Sequence, residues 1–143
     1  MKTTEQIDQW FAATLKQANT LNFGIYVEET NALIGYAGLS GISFTNHSGE
    51  YFLFIGEKAW WGKGVGTAVT KQIVDIGFTS HHLNRIMLTV SESNTGGLKA
   101  YTKAGFVVEG LLRQAACRQG VFHDKIVMSV LKSEWKPSTP AKR

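Results

Sequence analysis

The sequence predicts a mixed α/β fold whose central sheet is mostly antiparallel but contains one parallel crossover. In the middle of the chain, a strand pattern, a glycine-rich loop and a helix pattern follow one another. Strand patterns separated by turn residues, which predict hairpins, lie on both sides of this unit. The length of 143 residues fits one domain of ordinary size. We therefore expect a single domain over residues 1–135 and a flexible tail over 136–143, where prolines and small polar residues occur.

The N-terminal part predicts a helix followed by a hairpin. Apolar side chains recur with helical spacing within residues 4–18, at Ile7, Trp10, Phe11, Leu15 and Ala18. Residues 22–29 alternate apolar and other side chains, and the apolar members are Phe23, Ile25 and Val27. Residues 30–31 have turn chemistry and residues 33–39 resume an extended pattern, so the two runs are expected to pair.

The central part predicts the crossover itself. Residues 50–55 are a short apolar run of the length of a buried strand, which ends at Gly56. The glycine-rich segment 60–67 then opens a helix, whose apolar positions recur every three or four residues at Val65, Val69, Ile73 and Ile76. The β-rich run 85–90 follows, so strand, loop, helix and strand are expected to form a parallel unit with the functional site beside it.

The C-terminal part predicts a short helix and a second hairpin. Residues 97–104 are expected to form a helix that stops at Gly105. A strand begins at Phe106, the segment 118–120 turns the chain, and residues 126–131 form the last strand.

Composition excludes several classes of protein. Hydrophobic residues make up 43% and charged residues 18% of the chain, as in a globular protein. No apolar stretch approaches the roughly 20 residues that cross a bilayer, and the N-terminus lacks the apolar block of a secretory signal. The single cysteine, Cys117, cannot form an internal disulfide. Taken together, these three observations predict a cytoplasmic protein without membrane partners. The net charge of +4 favours anionic ligands, but no stretch combines clustered Arg and Lys with stacking aromatics, so nucleic-acid binding is only a weak alternative.

The glycine-rich loop predicts a phosphate site. A turn that feeds a helix leaves backbone N–H groups unpaired at the positive end of the helix dipole. Gly62, Gly64 and Gly66 have no Cβ to block the approach of an anion, although a tight turn alone is the alternative. The Walker pattern is absent because Lys63 precedes Gly64, and Val69 stands where the dinucleotide fingerprint needs its third glycine. Both of those nucleotide sites are therefore disfavoured.

Residues 61–66 resemble the phosphate loop [QR]-x-x-G-x-[GA] of the GNAT superfamily of acetyl-CoA-dependent N-acetyltransferases. Trp61 replaces the first Gln or Arg, as in the branch that acetylates ribosomal-protein N-termini and polyamines. Residues 90–94 and 98–106 are similar to that family's N-x-x-[AS]-[IL]-x-x-Y-x-K-x-G-F block. The resemblance covers residues 22–131 in register and implies a GNAT-like fold, in which a splayed parallel pair interrupts a mostly antiparallel sheet with flanking helices.

The resemblance implies acetyl-CoA as cosubstrate and no metal. The loop would hold the pyrophosphate, and two strands would face each other across a gap that holds the pantetheine arm. The residues so implied are Phe54, Ile55, Gly56, Trp61, Gly62, Lys63, Gly64, Val65, Gly66, Thr67, Thr89, Val90, Asn94 and Tyr101. Alternatives stay open for two side chains, because Lys63 could be a solvated lysine and Asn94 a turn residue or helix cap.

Two residues are implied as catalytic. Tyr101 matches the family's tyrosine that protonates the departing thiolate, and packing beside Phe106 is its alternative. Glu50 is our candidate for the base that deprotonates the amine, and a solvated residue at a strand end is its alternative. His123 and Asp124 are expected to be structural. His81 and His82 lack further ligands at useful spacing for zinc.

The acceptor side is the part where the resemblance is thinnest. The family usually begins with a further strand and helix, whereas the sequence predicts only the helix over 4–18, so we expect a homodimer in which the partner completes the wall. Four aromatic residues could line the cleft or fill the core, and we expect the core for all but Trp61; they are Phe44, Phe52, Trp60 and Trp61. The implied function is acetyl transfer to a primary amine, which could be a protein N-terminus, a polyamine, an amino sugar or another small amine. A CoA-binding module without turnover is the alternative.

Overall fold

The computed structural model describes residues 6–8, 19–56, 62 and 64–135. The strands are β1 (Gln6–Asp8), β2 (Leu21–Val27), β3 (Ala32–Ser43), β4 (Ser48–Ile55), β5 (Arg85–Ser91), β6 (Val107–Arg118) and β7 (Val121–Leu131). The helices are α1 (Val65–Thr79) and α2 (Thr95–Lys103), and a short 3-10 helix, Lys132–Glu134, follows β7. In this part of the chain the strands form one seven-stranded sheet in the order β1-β2-β3-β4-β5-β7-β6. The predicted tail over 136–143 lies outside the described residues.

The N-terminal hairpin is confirmed, but the predicted helix over 4–18 is wrong at residues 6–8. β2 and β3 pair antiparallel, and Phe23, Ile25 and Val27 are all buried. Residues 6–8 instead form β1, which pairs antiparallel with β2. The outer edge of β2 offers backbone donors and acceptors that a strand satisfies and a helix cannot. The rest of the predicted helix lies outside the described residues.

The parallel crossover is confirmed as β4, α1 and β5. β4 and β5 pair in parallel from Ser48 opposite Arg85 to Glu50 opposite Met87, and no further. β4 continues to Ile55 and β5 to Ser91, so the two strands part beyond Glu50. We call the resulting opening the splay. It is the interruption of the sheet that the family resemblance implies.

The core lies between the sheet and the two helices. The predicted helical spacing of α1 is confirmed, since Val65, Val69 and Ile73 are buried and Ile76 packs at the margin. α1 approaches the sheet closely at Gly77, where a Cβ would lie 2.8 Å from Ile86 Cδ1. We call this side of the sheet the helix face and the other the outer face. Side chains of successive strand residues alternate between them.

The C-terminal hairpin is also confirmed. β6 and β7 pair antiparallel across a turn at Gln119 and Gly120, both of which have positive φ. The β5–β7 pairing continues the sheet without a gap, and β6 forms its edge. Two core predictions are wrong. The Phe44 side chain is 59% exposed, because Phe44 follows the end of β3 in the turn that leads to β4. Phe52 is half-buried on the outer face and is not part of the core.

Candidate active site

The splay is bounded by residues whose side chains alternate between the two faces of the sheet. Glu50 is the last residue of β4 that pairs with β5, and its exposed side chain lies on the outer face. Tyr51 follows it and turns its ring to the helix face, where it is buried. Of the predicted residues of β5, Val90 is buried on the helix face and Thr89 is half-buried on the outer face. The structure therefore brings Glu50, Thr89 and Val90 to the same opening.

The backbone at the end of β4 is divided between β3 and the splay. Gly56 N donates to Ile34 O at 2.9 Å, so this N–H group is already used by β3. Backbone groups alternate in direction along an antiparallel pair. Those of Leu53 and Ile55 therefore point away from β3 and toward the splay, while those of Phe54 point toward β3. Leu53 was not predicted from the sequence, because that assignment requires the register of the β3–β4 pair.

The glycine-rich loop ends in a helix N-terminus. Gly62 and Gly64 have φ values of 75° and 83°, in the left-handed region that favours glycine. Gly64 is the N-cap of α1, and as a glycine it has no side chain to cap this end. The first helical hydrogen bond runs from Ala68 N to Gly64 O, so the N–H groups of the three preceding helical residues have no acceptor within the helix; they belong to Val65, Gly66 and Thr67. This end can accept an anion such as a phosphate. Trp61 and Lys63 lie outside the described residues.

Gly66 lies in the first turn of α1, next to β4 and α2. A Cβ at this position would lie 3.6 Å from Leu53 Cδ2 and 3.7 Å from Ala100 Cβ. Both distances are ordinary van der Waals contacts, so the first turn of α1 neighbours β4 and α2 with room for a methyl group at this position. Thr67 Oγ1 also donates to Ala100 O at 3.5 Å. These contacts fix the helix N-terminus against the strand that borders the splay.

Tyr101 lies on α2 between aromatic neighbours and is 9% exposed. Its ring centroid is 6.1 Å from that of Tyr51 and 6.2 Å from that of Phe106, with edge-on geometry in both pairs. Phe106 is a core residue, as predicted. Burial raises the pKa of the Tyr101 phenol above its ordinary value of 10.0, so the proton is retained at neutral pH. The packing alternative and a role as a proton donor are therefore compatible in one residue.

A buried chain of hydroxyl groups links the splay to the loop. Thr70 Oγ1 donates to Gly66 O at 2.6 Å and lies 2.9 Å from the Tyr51 hydroxyl. Because the Thr70 proton is used by Gly66, the Tyr51 hydroxyl donates to Thr70. Burial raises the pKa of Tyr51 and keeps this proton in place. Neither Tyr51 nor Thr70 was predicted as a site residue, because their relationship joins a strand and a helix 19 residues apart.

Asn94 is the N-cap of α2, and its Oδ1 accepts from Gly97 N at 2.9 Å. Asn94 is therefore a helix cap, which was the alternative interpretation. Its side-chain N–H groups are not used by the cap and could donate to a ligand.

His123 and Asp124 are held by polar contacts at the end of β5. Asp124 Oδ1 accepts from Gln114 N at 2.8 Å, and Glu92 Oε2 accepts from Asp124 N at 3.1 Å. His123 Nδ1 is 3.8 Å from the same Glu92 oxygen. These contacts agree with a structural role for the pair. Among the residues that the structure describes, no group of three or more His, Cys, Asp or Glu side chains could hold a metal ion.

The splayed parallel pair and the helix N-terminus beside it define a fold of the acyl-CoA N-acyltransferase class. The model of the acetyltransferase (GNAT) domain family matches residues 1–107. The chain belongs to this family.

Individual relatives agree with that assignment. The chain is 37% identical over 119 residues to an uncharacterized N-acetyltransferase, p20, of Bacillus licheniformis, with 83% of this chain and 65% of that protein covered. It is 29% identical over 101 residues to the spermidine N(1)-acetyltransferase of Escherichia coli K12, with 71% and 54% covered. The chain thus spans less than two thirds of the length of these relatives.

A solved structure is similar over most of the chain. The spermidine N-acetyltransferase of Vibrio cholerae, in complex with CoA and spermine, has a TM-score of 0.78 and 26% identity. The match covers 87% of this chain and 72% of that one. Separately, in the described residues of this chain, no helix is long and apolar enough to cross a membrane.

Proposed function

We propose that this protein transfers the acetyl group of acetyl-CoA to a primary amine by direct attack of the amine on the thioester. The observation that carries the proposal is the splay, which opens beside the N-terminus of α1, where the N-cap is a glycine. The names of the relatives, which are N-acetyltransferases, support the same reaction. The solved relative with bound CoA supports acetyl-CoA as the cosubstrate.

Binding would use backbone groups more than side chains. The N–H groups of Val65, Gly66 and Thr67 would receive the pyrophosphate at the positive end of α1. The backbone of Leu53 and Ile55 would border the pantetheine arm along β4. Thr89 and Val90 would form the opposite wall, and Asn94 would donate from its side-chain amide. When bound, acetyl-CoA supplies a thioester carbonyl that an amine can attack.

Two side chains would move the protons of the reaction. The N–C bond forms as the C–S bond breaks, so the nitrogen loses a proton and the sulfur gains one. Glu50, on the outer face at the point where β4 and β5 part, would accept the proton from the amine. Tyr101, whose raised pKa keeps it protonated, would donate to the departing thiolate. Solvent would then return the proton from Glu50 to Tyr101.

Two measurements test this function together. Thermal unfolding with excess acetyl-CoA should raise the Tm, because a ligand at about 100 times its Kd stabilises a fold by roughly 2.7 kcal/mol. A thiol-detecting assay with a panel of amines should then show release of free CoA. A Tm shift without thiol release on any amine would instead identify a CoA-binding module, and no shift at millimolar acetyl-CoA would reject both.

We also propose a cytoplasmic homodimer. β6 is a strand of 12 residues at the edge of the sheet, and such an edge presents unpaired backbone groups to another strand. It carries exposed apolar side chains on both faces, namely Val107, Val108, Leu111 and Leu112. Light scattering after size exclusion should therefore give the mass of two chains, and a strict monomer at micromolar concentration would remove the proposal.

A further inference from the structure

We propose that an aromatic cavity on the outer face receives the body of the acceptor, and that it selects a monoamine with an aromatic or aliphatic body over a polyamine. The inference rests on the proposed function. The cavity has a volume of about 330 Å³ and is lined by Asn22, Tyr36, Phe52 and Phe54. Since a water molecule takes about 30 Å³ of liquid, a ligand of about ten heavy atoms would fill it.

The cavity lies beside the proposed base. Glu50, Phe52 and Phe54 are alternate residues of a strand whose register with β3 is continuous, so all of them lie on the outer face. Phe52 follows Glu50 by two residues, which places its Cα about 7 Å further along β4. An amine held at Glu50 would therefore have its body over the Phe52 and Phe54 rings. The splay opens at the same residue, so the amine would lie at the edge of the splay, where the thioester is proposed to bind.

The aromatic side chains form a built wall. The Tyr36 and Phe54 rings meet edge-on, with centroids 5.7 Å apart and an interplanar angle of 67°. Phe52 reaches over Gly38, where a Cβ would lie 2.8 Å from Phe52 Cζ. Gly38 thus makes the space in which the Phe52 ring lies. Phe54 remains 57% exposed although it is a large apolar side chain, as expected for a surface that an apolar ligand covers.

The charge on this face distinguishes the two kinds of amine. On the strands that line the cavity, β2, β3 and β4, Glu50 is the one carboxylate among the described outer-face residues. Asp8 and Glu109 belong to other strands of the sheet, and Glu109 is paired with Arg85. One carboxylate can serve the reacting nitrogen. An apolar wall favours the neutral form of an amine, which is the form that attacks the thioester. A polyamine would bring further ammonium groups against Phe52 and Phe54, where their desolvation would oppose binding.

Binding and turnover of two probes test the inference. Titration calorimetry on the full chain saturated with CoA should give 2-phenylethylamine a Kd at least tenfold lower than that of spermidine. The kcat/KM values for acetylation should favour 2-phenylethylamine by a similar factor. Phe54→Ala should raise the Kd and KM for 2-phenylethylamine about tenfold, with the acetyl-CoA Tm shift retained. Phe122→Ala is the matched control, because Phe122 is similarly exposed (61%) but lies on β7 and does not line the cavity, and it should change neither constant.

Each other outcome decides the question. Tighter binding or faster acetylation of spermidine would overturn the inference while the proposed function stood. If Phe54→Ala weakened the binding of 2-phenylethylamine and of spermidine by the same factor, the proposed selectivity would be overturned. A failure of both probes to bind would overturn it as well. Failure of the proposed function is a separate result, since calorimetry measures the cavity even where no thiol is released.

Discussion

The hydroxyl groups of Tyr51 and Thr70 lie 2.9 Å apart in the core, and the Thr70 hydroxyl donates a hydrogen bond to the carbonyl of Gly66. One buried chain therefore joins the strand that borders the splay to the first turn of the helix behind the glycine-rich loop. The ring of Tyr51 also lies edge-on to Tyr101. Tyr51 thus contacts Tyr101, the proposed proton donor, and is linked through Thr70 to the N-terminal turn of α1, the proposed phosphate site.

Thr70→Val should destabilise the fold by about 1–3 kcal/mol, because it leaves the Tyr51 hydroxyl buried without an acceptor. Tyr51→Phe should cost about 1 kcal/mol, since Thr70 keeps its bond to Gly66. The double variant should lose less than the sum of the two, because it removes both partners at once. Urea unfolding measures all of these values.

Thr79→Val is the matched control for the threonine. Thr79 Oγ1 donates to Asp75 O at 2.7 Å, which is the same four-residue geometry as in Thr70, but it does so on the exposed side of the helix. We expect a change within about 0.5 kcal/mol for this variant. Equal losses for Thr70→Val and Thr79→Val would show that the contact with Tyr51 contributes nothing to stability.

Gly64→Ala should weaken acetyl-CoA binding. The φ of 83° at this N-cap suits glycine, and an L side chain there costs roughly 1–2 kcal/mol of backbone strain. The same Cβ would enter open space at the anion-binding end of α1, since, apart from its chain neighbours, no atom of the described residues lies within 4 Å of it. A smaller Tm shift with acetyl-CoA is therefore expected than for the wild type.

Gly110→Ala controls for the substitution itself. Gly110 also has open space around its Cβ position, but its φ is not positive and it lies in β6. Its Tm shift with acetyl-CoA should equal that of the wild type. An unchanged shift in Gly64→Ala would mean that the helix N-terminus does not bind the cosubstrate.

The order of the elements could be predicted from the sequence because it rests on local patterns. A strand or helix that packs one face on the core shows its pattern within a single segment of the chain. This holds for the alternation at Phe23, Ile25 and Val27 and for the helical spacing in α1. Residues 6–8 were assigned wrongly because their strand depends on pairing with β2, which helical spacing does not report. Local periodicity alone does not reveal such a partner.

The site was predicted less completely, for a related reason. The glycines and Tyr101 stand in recognisable motifs, so they could be selected as site residues by resemblance. The structure places the glycines at the N-terminal end of α1 and Tyr101 against Tyr51. The Tyr51–Thr70 contact and the outer-face cavity each combine residues from different elements. No motif contains such a combination, and only the packed fold defines it.

Tyr101→Phe should lower kcat by about a hundredfold or more, because a positioned general acid contributes roughly 10²–10⁴-fold. The acetyl-CoA Tm shift should persist, since the ring contacts with Tyr51 and Phe106 remain. Burial raises the pKa of Tyr101, so its loss of a proton should cause no fall in the activity of the wild type below pH 10. Tyr26→Phe on β2 is the control, with kcat expected at the wild-type value. A Tyr101→Phe variant with full kcat would show that the thiolate is protonated by another group.

Glu109→Gln should destabilise the fold at neutral pH but not in acid. The Arg85 guanidinium donates to both oxygens of Glu109, at 2.8 and 2.7 Å, and ties β5 to the edge strand β6 across β7. The hydrogen bonds from Arg85, and then that of Ser129, lower the pKa of Glu109 from 4.5 to about 2. A lowered pKa means that the folded state holds the carboxylate, so this stabilisation is present above about pH 4.5 and is lost as the pH falls toward 2. The urea midpoints of the wild type and Glu109→Gln should therefore differ at pH 7 and converge between pH 4.5 and 2. A difference that stays constant over that range would show that the carboxylate charge does not act in the folded protein.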